Sequence, residues 1–302
     1  MRREIEVALR LFVAGVLMVF SGCGTRSGSA PQTPPATATP PAPAVTFFCS
    51  FAASPSDCGF GEQAKSPGRA RVVSGALVGV IAGLTHIGLE NMGRDGPTSV
   101  RLHTEPGDSS VAGSLDNERN DLSLAQAASD CYEGREHWWA HSVLFPDDYV
   151  DPPQSTGSAW NWATVFDFHN TAPGAGQPNF QVIAWPATAI AGDRPTGLGF
   201  QIAYGNQTSP TMQRFPIGPL VRNVWYDFVY HVKWSSGSGG FFTAWVNGAK
   251  KMDYSGPTLY PGQGCYLKLA NYHTPFDKPS SVIHDRVIRG TAAGAVSPVP
   301  LE

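Results

Sequence analysis

From about residue 47 onward, apolar and polar residues alternate in short runs separated by Gly, Pro, Asn and Asp, with no sustained 3.6-residue periodicity. A period of two sends successive side chains to opposite faces of a strand, so each run predicts a strand with one buried face. The segments so marked are SVRLHT (99–104), WWAHSVLF (138–145), ATVFDFH (163–169), NFQVIAW (179–185), LGFQIAY (198–204), WYDFVYHVKW (225–234), GFFTAWVN (240–247), CYLKLANYH (265–273) and SVIHDRVI (281–288). So many short strands without a repeat period predict an all-β fold, built as a two-sheet β-sandwich. Asn247-Gly248 tolerates positive φ at both positions of a tight turn, which folds FFTAWVN back onto KKMDY. The stretches DPPQSTGSAWNW (151–162) and 205–222 read as long loops able to rim a groove.

The same alternation sorts polar residues by face. In CYLKLANYH, Tyr266, Lys268, Ala270 and Tyr272 share one side, and Leu267, Leu269, Asn271 and His273 the other. The leucines mark the buried side, so Lys268 and Tyr272 look outward across a small Ala270. In ATVFDFH, Phe166 and Phe168 point inward and send Asp167 and His169 together to the opposite face. In NERNDL (117–122), Leu122 faces the core while Arg119 and Asp121 project on the polar side.

Composition narrows the class. A chain of 302 residues, 42% hydrophobic, can bury a substantial core, and no second domain is needed after residue 47. A formal charge of -3 gives no chain-wide basic footprint, which argues against nucleic acid as a partner. Residues 1–22 begin with Arg2, Arg3 and Arg10, continue with LFVAGVLMVF and end in small residues, the order of a secretory signal peptide. That apolar run is shorter than the roughly 20 residues a membrane-spanning helix needs. FSGC resembles a bacterial lipoprotein box with Cys23 as the acylated thiol, which implies a secreted protein or an outer-membrane lipoprotein touching the membrane only through its N-terminal lipid. Residues 23–46, with six prolines between 31 and 43, form a tether that cannot bury enough surface to fold, and 47–302 form one domain, expected to be monomeric. Cys49, Cys58, Cys131 and Cys265 remain, an even number suited to an oxidising compartment. Three connectivities exist, and the short spacing of Cys49 and Cys58 favours a local loop that leaves Cys131 with Cys265. Without a C-x-x-C pair, a zinc site is disfavoured.

RNDL (119–122), DFH (167–169) and YLKLANY (266–272) occur in the order of three motifs, R-x-E-L, Q-I-H and Y-F-K-A-G-V-Y. In these segments the chain resembles the jelly-roll polysaccharide lyases similar to alginate lyases. WWAHSVLFPDDY, the W-x-D-F-V strand before the W-x-N-G hairpin, and SVIHDRVIRGT look like the wider heparin-lyase-like and glucuronan-lyase-like group, over about residues 95–292. The resemblance implies a concanavalin-like jelly roll with a concave groove, and cleavage of a uronate-containing anionic polysaccharide (alginate, glucuronan or glycosaminoglycan-like) by β-elimination. Removing the C5 proton builds charge on the adjacent carboxylate, which cations or amide donors must stabilise, typically by about 10²-fold or more per donor. A general acid/base must take that proton and return one to the leaving oxygen, worth roughly 10² to 10⁴ in rate. By the resemblance, Tyr272 protonates the leaving oxygen and is a candidate base, His169 is base or phenolate partner, and Arg119 holds the carboxylate. Lys268, Tyr266, Asp167, Asp121 and Asn117 then bind substrate, with Lys268 also favouring a nearby tyrosinate. No cofactor is required, and a structural calcium ion is left open.

Three positions depart from the motifs. Asp167 stands where those lyases carry glutamine, and a carboxylate there repels the developing charge unless it is protonated or paired with Arg119 or Lys268. Alternatively Asp167 orients His169 or another cation, and an amide elsewhere, with Asn117, Asn120 and Asn161 as candidates, serves as neutraliser. Asp121 for glutamate and Ala270 for glycine are milder changes. Each residue alone has a plain reading: a satisfied polar histidine, a solvated Tyr-Lys strand face, a surface ion-pair cluster at Arg119. Phe166, Phe168, Phe228 and Phe242 are expected in the core, and Trp160, Trp162 and Trp185 are candidate sugar-stacking walls. A lectin-like sandwich that binds glycans without cutting them is the main rival. A glycoside hydrolase is the third reading, and it requires two carboxylates flanking the scissile bond.

Overall fold

The computed structural model describes residues 42–52, 55–64, 77–81, 84–90, 93–108, 117–154, 161–172, 176–188 and 196–302. The expected signal peptide, Cys23, most of the tether and Trp160 lie outside them. The strands run in chain order β1 (Val45–Cys49), β2 (Phe60–Ala64), β3 (Leu77–Ile81), β4 (Leu84–Glu90), β5 (Ser99–Thr104), β6 (Glu118–Leu124), β7 (Glu136–Leu144) and β8 (Ala163–Asn170). They continue with β9 (Phe180–Trp185), β10 (Gly197–Asn206), β11 (Ser209–Gly218), β12 (Trp225–Lys233), β13 (Phe241–Val246), β14 (Ala249–Ser255), β15 (Cys265–His273) and β16 (Ser280–Gly290). Two antiparallel sheets result, a 9-stranded one ordered β14-β13-β12-β7-β16-β5-β4-β3 with β1 also on β16, and a 7-stranded one ordered β11-β10-β9-β8-β15-β6-β2. This is the all-β sandwich the alternation predicts. The first strand starts at Val45, two residues before the expected boundary.

The inward faces supply the core. Phe166, Phe168, Phe180, Phe200, Phe228 and Phe242 are fully buried with Trp139, Tyr230 and Trp234. Phe180 of one sheet stacks on Phe242 of the other with ring centroids 4.0 Å apart. Burying each such side chain contributes about 1.5–3 kcal/mol, so truncating one to alanine costs about 3–5 kcal/mol. Histidines share this interior. His141 stacks on Phe166 at 3.9 Å, and burial pushes its pKa well below the ordinary value. His284 donates through Nε2 to the Ala270 carbonyl at 3.2 Å, and burial lowers its pKa to about 3. His273 donates through Nδ1 to the Thr274 carbonyl and accepts from the Thr104 hydroxyl, with burial taking its pKa to about 4.

Several local devices hold the strands in place. Asn247 and Gly248 adopt φ of 50° and 86°, closing the β13-β14 hairpin as their sequence predicts. Disulfides join Cys49 to Cys58 and Cys131 to Cys265, the pairing that spacing favours, and the second ties the start of β15 to the segment before β7. The 205–222 stretch differs from expectation, because it contains β11, paired along its length with β10. In β8 a bulge lies between Thr164 and Phe166 against β9. Val165 and Phe166 both enter the core, which turns Thr164 outward with Asp167. Strict alternation would have buried Thr164; one inserted residue re-aims it.

Candidate active site

A groove of about 620 Å³ crosses the outward face of the 7-stranded sheet, and its walls include Arg119, Thr164, Asp167, His169, Tyr266, Lys268 and Tyr272. Register sets where each stands. Tyr272 lies opposite Arg119 on β6 and Thr164 on β8. Lys268 lies opposite Asp167, which lies opposite Gln181 on β9. Gln181 faces Gln201 on β10, and Gln201 faces Arg214 on β11. One polar row therefore traverses five strands, while on β15, β8, β9 and β10 the neighbouring positions bury Leu267, Phe166, Val182, Phe200 and Ile202.

Charge is concentrated at one end of this row. Lys268 Nζ lies 3.0 Å from Asp121 Oδ2 and 3.5 Å from Asp167 Oδ2, with Lys268 1%, Asp121 0% and Asp167 1% exposed. Arg119 Nε approaches Asp121 Oδ2 at 3.5 Å, and its Cζ lies 4.7 Å from the centre of the Tyr272 ring. Lys268 Nζ lies 5.6 Å from the same centre. Trp162 meets Tyr272 edge-on at 4.9 Å. Burial raises the Tyr272 pKa above that of a free phenol; Arg119 and Lys268 oppose the shift, and Asp121 adds to it. Burial also raises the Asp167 pKa, with Lys268 opposing. Lys268 is raised in turn, because Asp121 and Asp167 outweigh the burial that would lower it. A cation and two carboxylates thus form the support on which the phenol and the guanidinium stand.

His169 stands apart. It is opposite Tyr266, whose ring it stacks on at 5.3 Å. Its Nδ1 donates to the Asn170 carbonyl at 3.0 Å, so Nε2 carries the lone pair of the neutral ring. From His169 to Thr164, the partner of Tyr272, is five residues of β8, about 16 Å at 3.3 Å per residue. The expected meeting of guanidinium, imidazole and phenol at one sugar is therefore corrected. Arg119 and Tyr272 adjoin, and His169 lines the same groove further along.

Other expected contacts also change. Asp121 lies beneath the groove wall as a partner of Lys268, and Asn117 is not among the lining residues. Asn120 donates to the His103 carbonyl and Asn161 to the Pro153 carbonyl, and neither is among the groove-lining residues. The amides in the groove are Gln177, Gln181 and Gln201, which sequence reasoning passed over. Their signal was present, since Gln181 between Phe180 and Val182 and Gln201 between Phe200 and Ile202 are single polar residues on core strands. Trp162 and Trp185 line the groove as well. Among the described residues no group of three or more histidine, cysteine, aspartate or glutamate side chains is placed to hold a metal ion.

A profile of the polysaccharide lyase family matches residues 89–288, spanning β5 to most of β16 and every groove strand except β2. The chain belongs to the polysaccharide lyase family. A search of curated protein sequences returns no match. Among solved structures, this lyase is similar to an endo-β-1,4-glucuronan lyase from the fungus Trichoderma reesei, at 14% identity and a TM-score of 0.56, covering 85% of this chain and 100% of that one. An alginate lyase gives 10% identity and a TM-score of 0.46 over 63% of this chain and 74% of its own. A β-glucanase catalytic domain from Podospora anserina gives 10% identity and a TM-score of 0.47 over 70% and 81%. The first likeness shows the shared sandwich; the other two overlaps are too partial to bear on function.

Proposed function

We propose that this polysaccharide lyase cleaves a uronate-containing anionic polysaccharide by β-elimination, with Tyr272 carrying both proton transfers. The observation that supports this reading most is that, of the two phenols in the groove, Tyr272 has Arg119 at 4.7 Å and Lys268 at 5.6 Å from its ring centre. The Tyr272 phenolate takes the C5 proton, the electron pair of that C–H bond forms the C4–C5 double bond, and the C4–O bond breaks. The phenol then returns the proton to the leaving oxygen, which regenerates the phenolate. His169, displaced along β8 from the position opposite Tyr272, is assigned to substrate binding further along the groove. Arg119 holds the substrate carboxylate, and the amide of Gln181 and the hydroxyl of Thr164 face the position where its extra charge develops. Asp167 remains compatible with that charge because Lys268 neutralises it. A hydrolase reading has less support, since Asp121 and Asp167 are buried on one shared cation rather than set on two sides of a scissile bond.

The localisation we propose is outside the cytoplasm, secreted or lipid-anchored at Cys23, as the N-terminal pattern suggests. The test of the activity is to incubate the protein with alginate, β-1,4-glucuronan and glycosaminoglycans, following the ultraviolet absorbance of the conjugated unsaturated product. Chain cleavage that yields reducing ends without this absorbance would refute elimination.

A further inference from the structure

The row of side chains across the groove continues past the catalytic end to Arg214 on β11, and its hydrogen bonds all run in one sense. Arg214 Nε donates to Gln201 Oε1 at 3.0 Å. Gln201 Nε2 donates to Gln181 Oε1 at 3.0 Å and to Gln177 Oε1 at 3.3 Å. Gln181 Nε2 donates to Thr164 Oγ1 at 3.0 Å. Thr164 is opposite Tyr272, and among the described residues its hydroxyl makes no other hydrogen bond.

A glutamine amide presents an oxygen at one end and two N–H donors at the other, and nothing intrinsic decides which way round it sits. If both amides of this row turned over, and Gln177 with them, Thr164 would donate to Gln181, Gln181 and Gln177 to Gln201, and this part of the row would be equally well bonded. That reversed row presents the Gln181 oxygen toward β8, where a substrate carboxylate would be repelled. A guanidinium breaks the tie, because it donates and never accepts. Fixing the Gln201 oxygen toward β11 forces the Gln201 nitrogen toward Gln181, hence the Gln181 nitrogen toward Thr164. The Thr164 oxygen, already accepting, is left with its own proton to donate.

We infer that Arg214 is a positioning residue for the elimination, acting through Gln201 to hold the donors of Gln181 and Thr164 toward the substrate carboxylate beside Tyr272, an inference that rests on the proposed β-elimination. Arg214 sits four strands from Tyr272's strand, about 19 Å at 4.8 Å per strand, so it acts on the reacting sugar only through the row. Hydrogen bonds linked in one direction polarise one another, which adds to the effect at the far end.

The experiment is a double-mutant cycle on the full chain, with kcat and KM measured separately on β-1,4-glucuronan and alginate and thermal unfolding confirming that each variant folds. Gln181→Leu should lower kcat by about 10²-fold, as for one preorganised donor. Arg214→Met should lower kcat by about tenfold to 10²-fold, Arg214→Lys, which also only donates, should recover most of it, and Arg214→Met should add nothing in the Gln181→Leu background. A rise confined to KM, a lysine variant no better than methionine, or losses that multiply in the double variant would each overturn the inference while leaving the elimination reading intact. Wild-type turnover with an unchanged kcat in Gln181→Leu would remove Gln181 as a carboxylate donor and the relay with it. Absence of unsaturated product from the wild type would instead sink the elimination reading.

Discussion

Replacing Lys268 by methionine removes the only lysine from the charged support under Tyr272 while keeping much of its volume. The cation lies 3.0 Å from Asp121 and 3.5 Å from Asp167, all three groups being almost inaccessible to solvent. At an effective dielectric of about 20, each attraction is worth about 5 kcal/mol. The desolvation of Lys268 and the mutual repulsion of the carboxylates offset much of that gain. What remains for the variant is two buried carboxylates, one of them still near Arg119, and breaking such a cluster on one side costs about 3–5 kcal/mol. The loss should depend on pH in a definite direction. Without Lys268 the folded-state carboxylate pKa values rise above those of the unfolded chain, so the unfolded state holds fewer protons at neutral pH and stability improves as pH falls. Urea unfolding at pH 7.5, 6 and 5, with wild type measured in parallel, should show the largest deficit at pH 7.5 and a smaller one at pH 5. Adding Asp167→Asn should restore part of the stability at pH 7.5. A deficit below about 1 kcal/mol at neutral pH, or one that does not change with pH, would refute the view that Lys268 neutralises buried charge.

Tyr272→Phe should lower kcat by at least about 10²–10⁴-fold on a cleaved polyuronate with an unchanged unfolding midpoint; retained turnover would exclude the phenol as proton carrier. Because burial raises the Tyr272 pKa and the proposed elimination uses its phenolate, log(kcat/KM) should climb with pH from neutrality well into the alkaline range. A rate already level below pH 7 would point to a histidine base instead. His273 and His284 are neutral in the fold, with pKa values of about 4 and about 3, so their contribution to stability is present above pH 6.5 and is lost as pH falls toward those values. At 1.36 kcal/mol per unit, His273 alone accounts for about 3 kcal/mol, and urea titrations between pH 7 and 4 that stay flat would contradict this.

The strands that carry the core were legible from their period of two: Phe166 and Phe168 alternate with polar residues, and Phe228 and Phe242 each have a polar neighbour, Asp227 and Thr243, and all four lie inside as the pattern requires. The same rule placed Tyr266, Lys268 and Tyr272 on one face of β15, and the groove does run over that face. β11 was illegible for the converse reason. It is an edge strand with prolines at 210 and 216 and little buried surface, so no apolar alternation marks it, and Arg214 was read as part of a loop. The bulge of β8 left no signal either. An extra residue between Thr164 and Phe166 reverses the facing of Thr164 without changing the composition of the segment. Distance along the strands was the other missing quantity. Motif order brings His169 and Tyr272 to one sheet face, but only the pairing of β15 with β8 reveals that five residues of β8 separate their positions.

A trough paved crosswise, with one tile supplied by each strand, changes in a particular way over generations. Exchanging Gln201 or Arg214 alters what lies along a saccharide at one station, while the residues on either side, Phe200 and Ile202 or Phe215, go on filling the interior or its margin. What lies along the groove can therefore change one strand at a time without repairs to the interior, but a change at Gln201 or Arg214 also resets the amide next to it in the row.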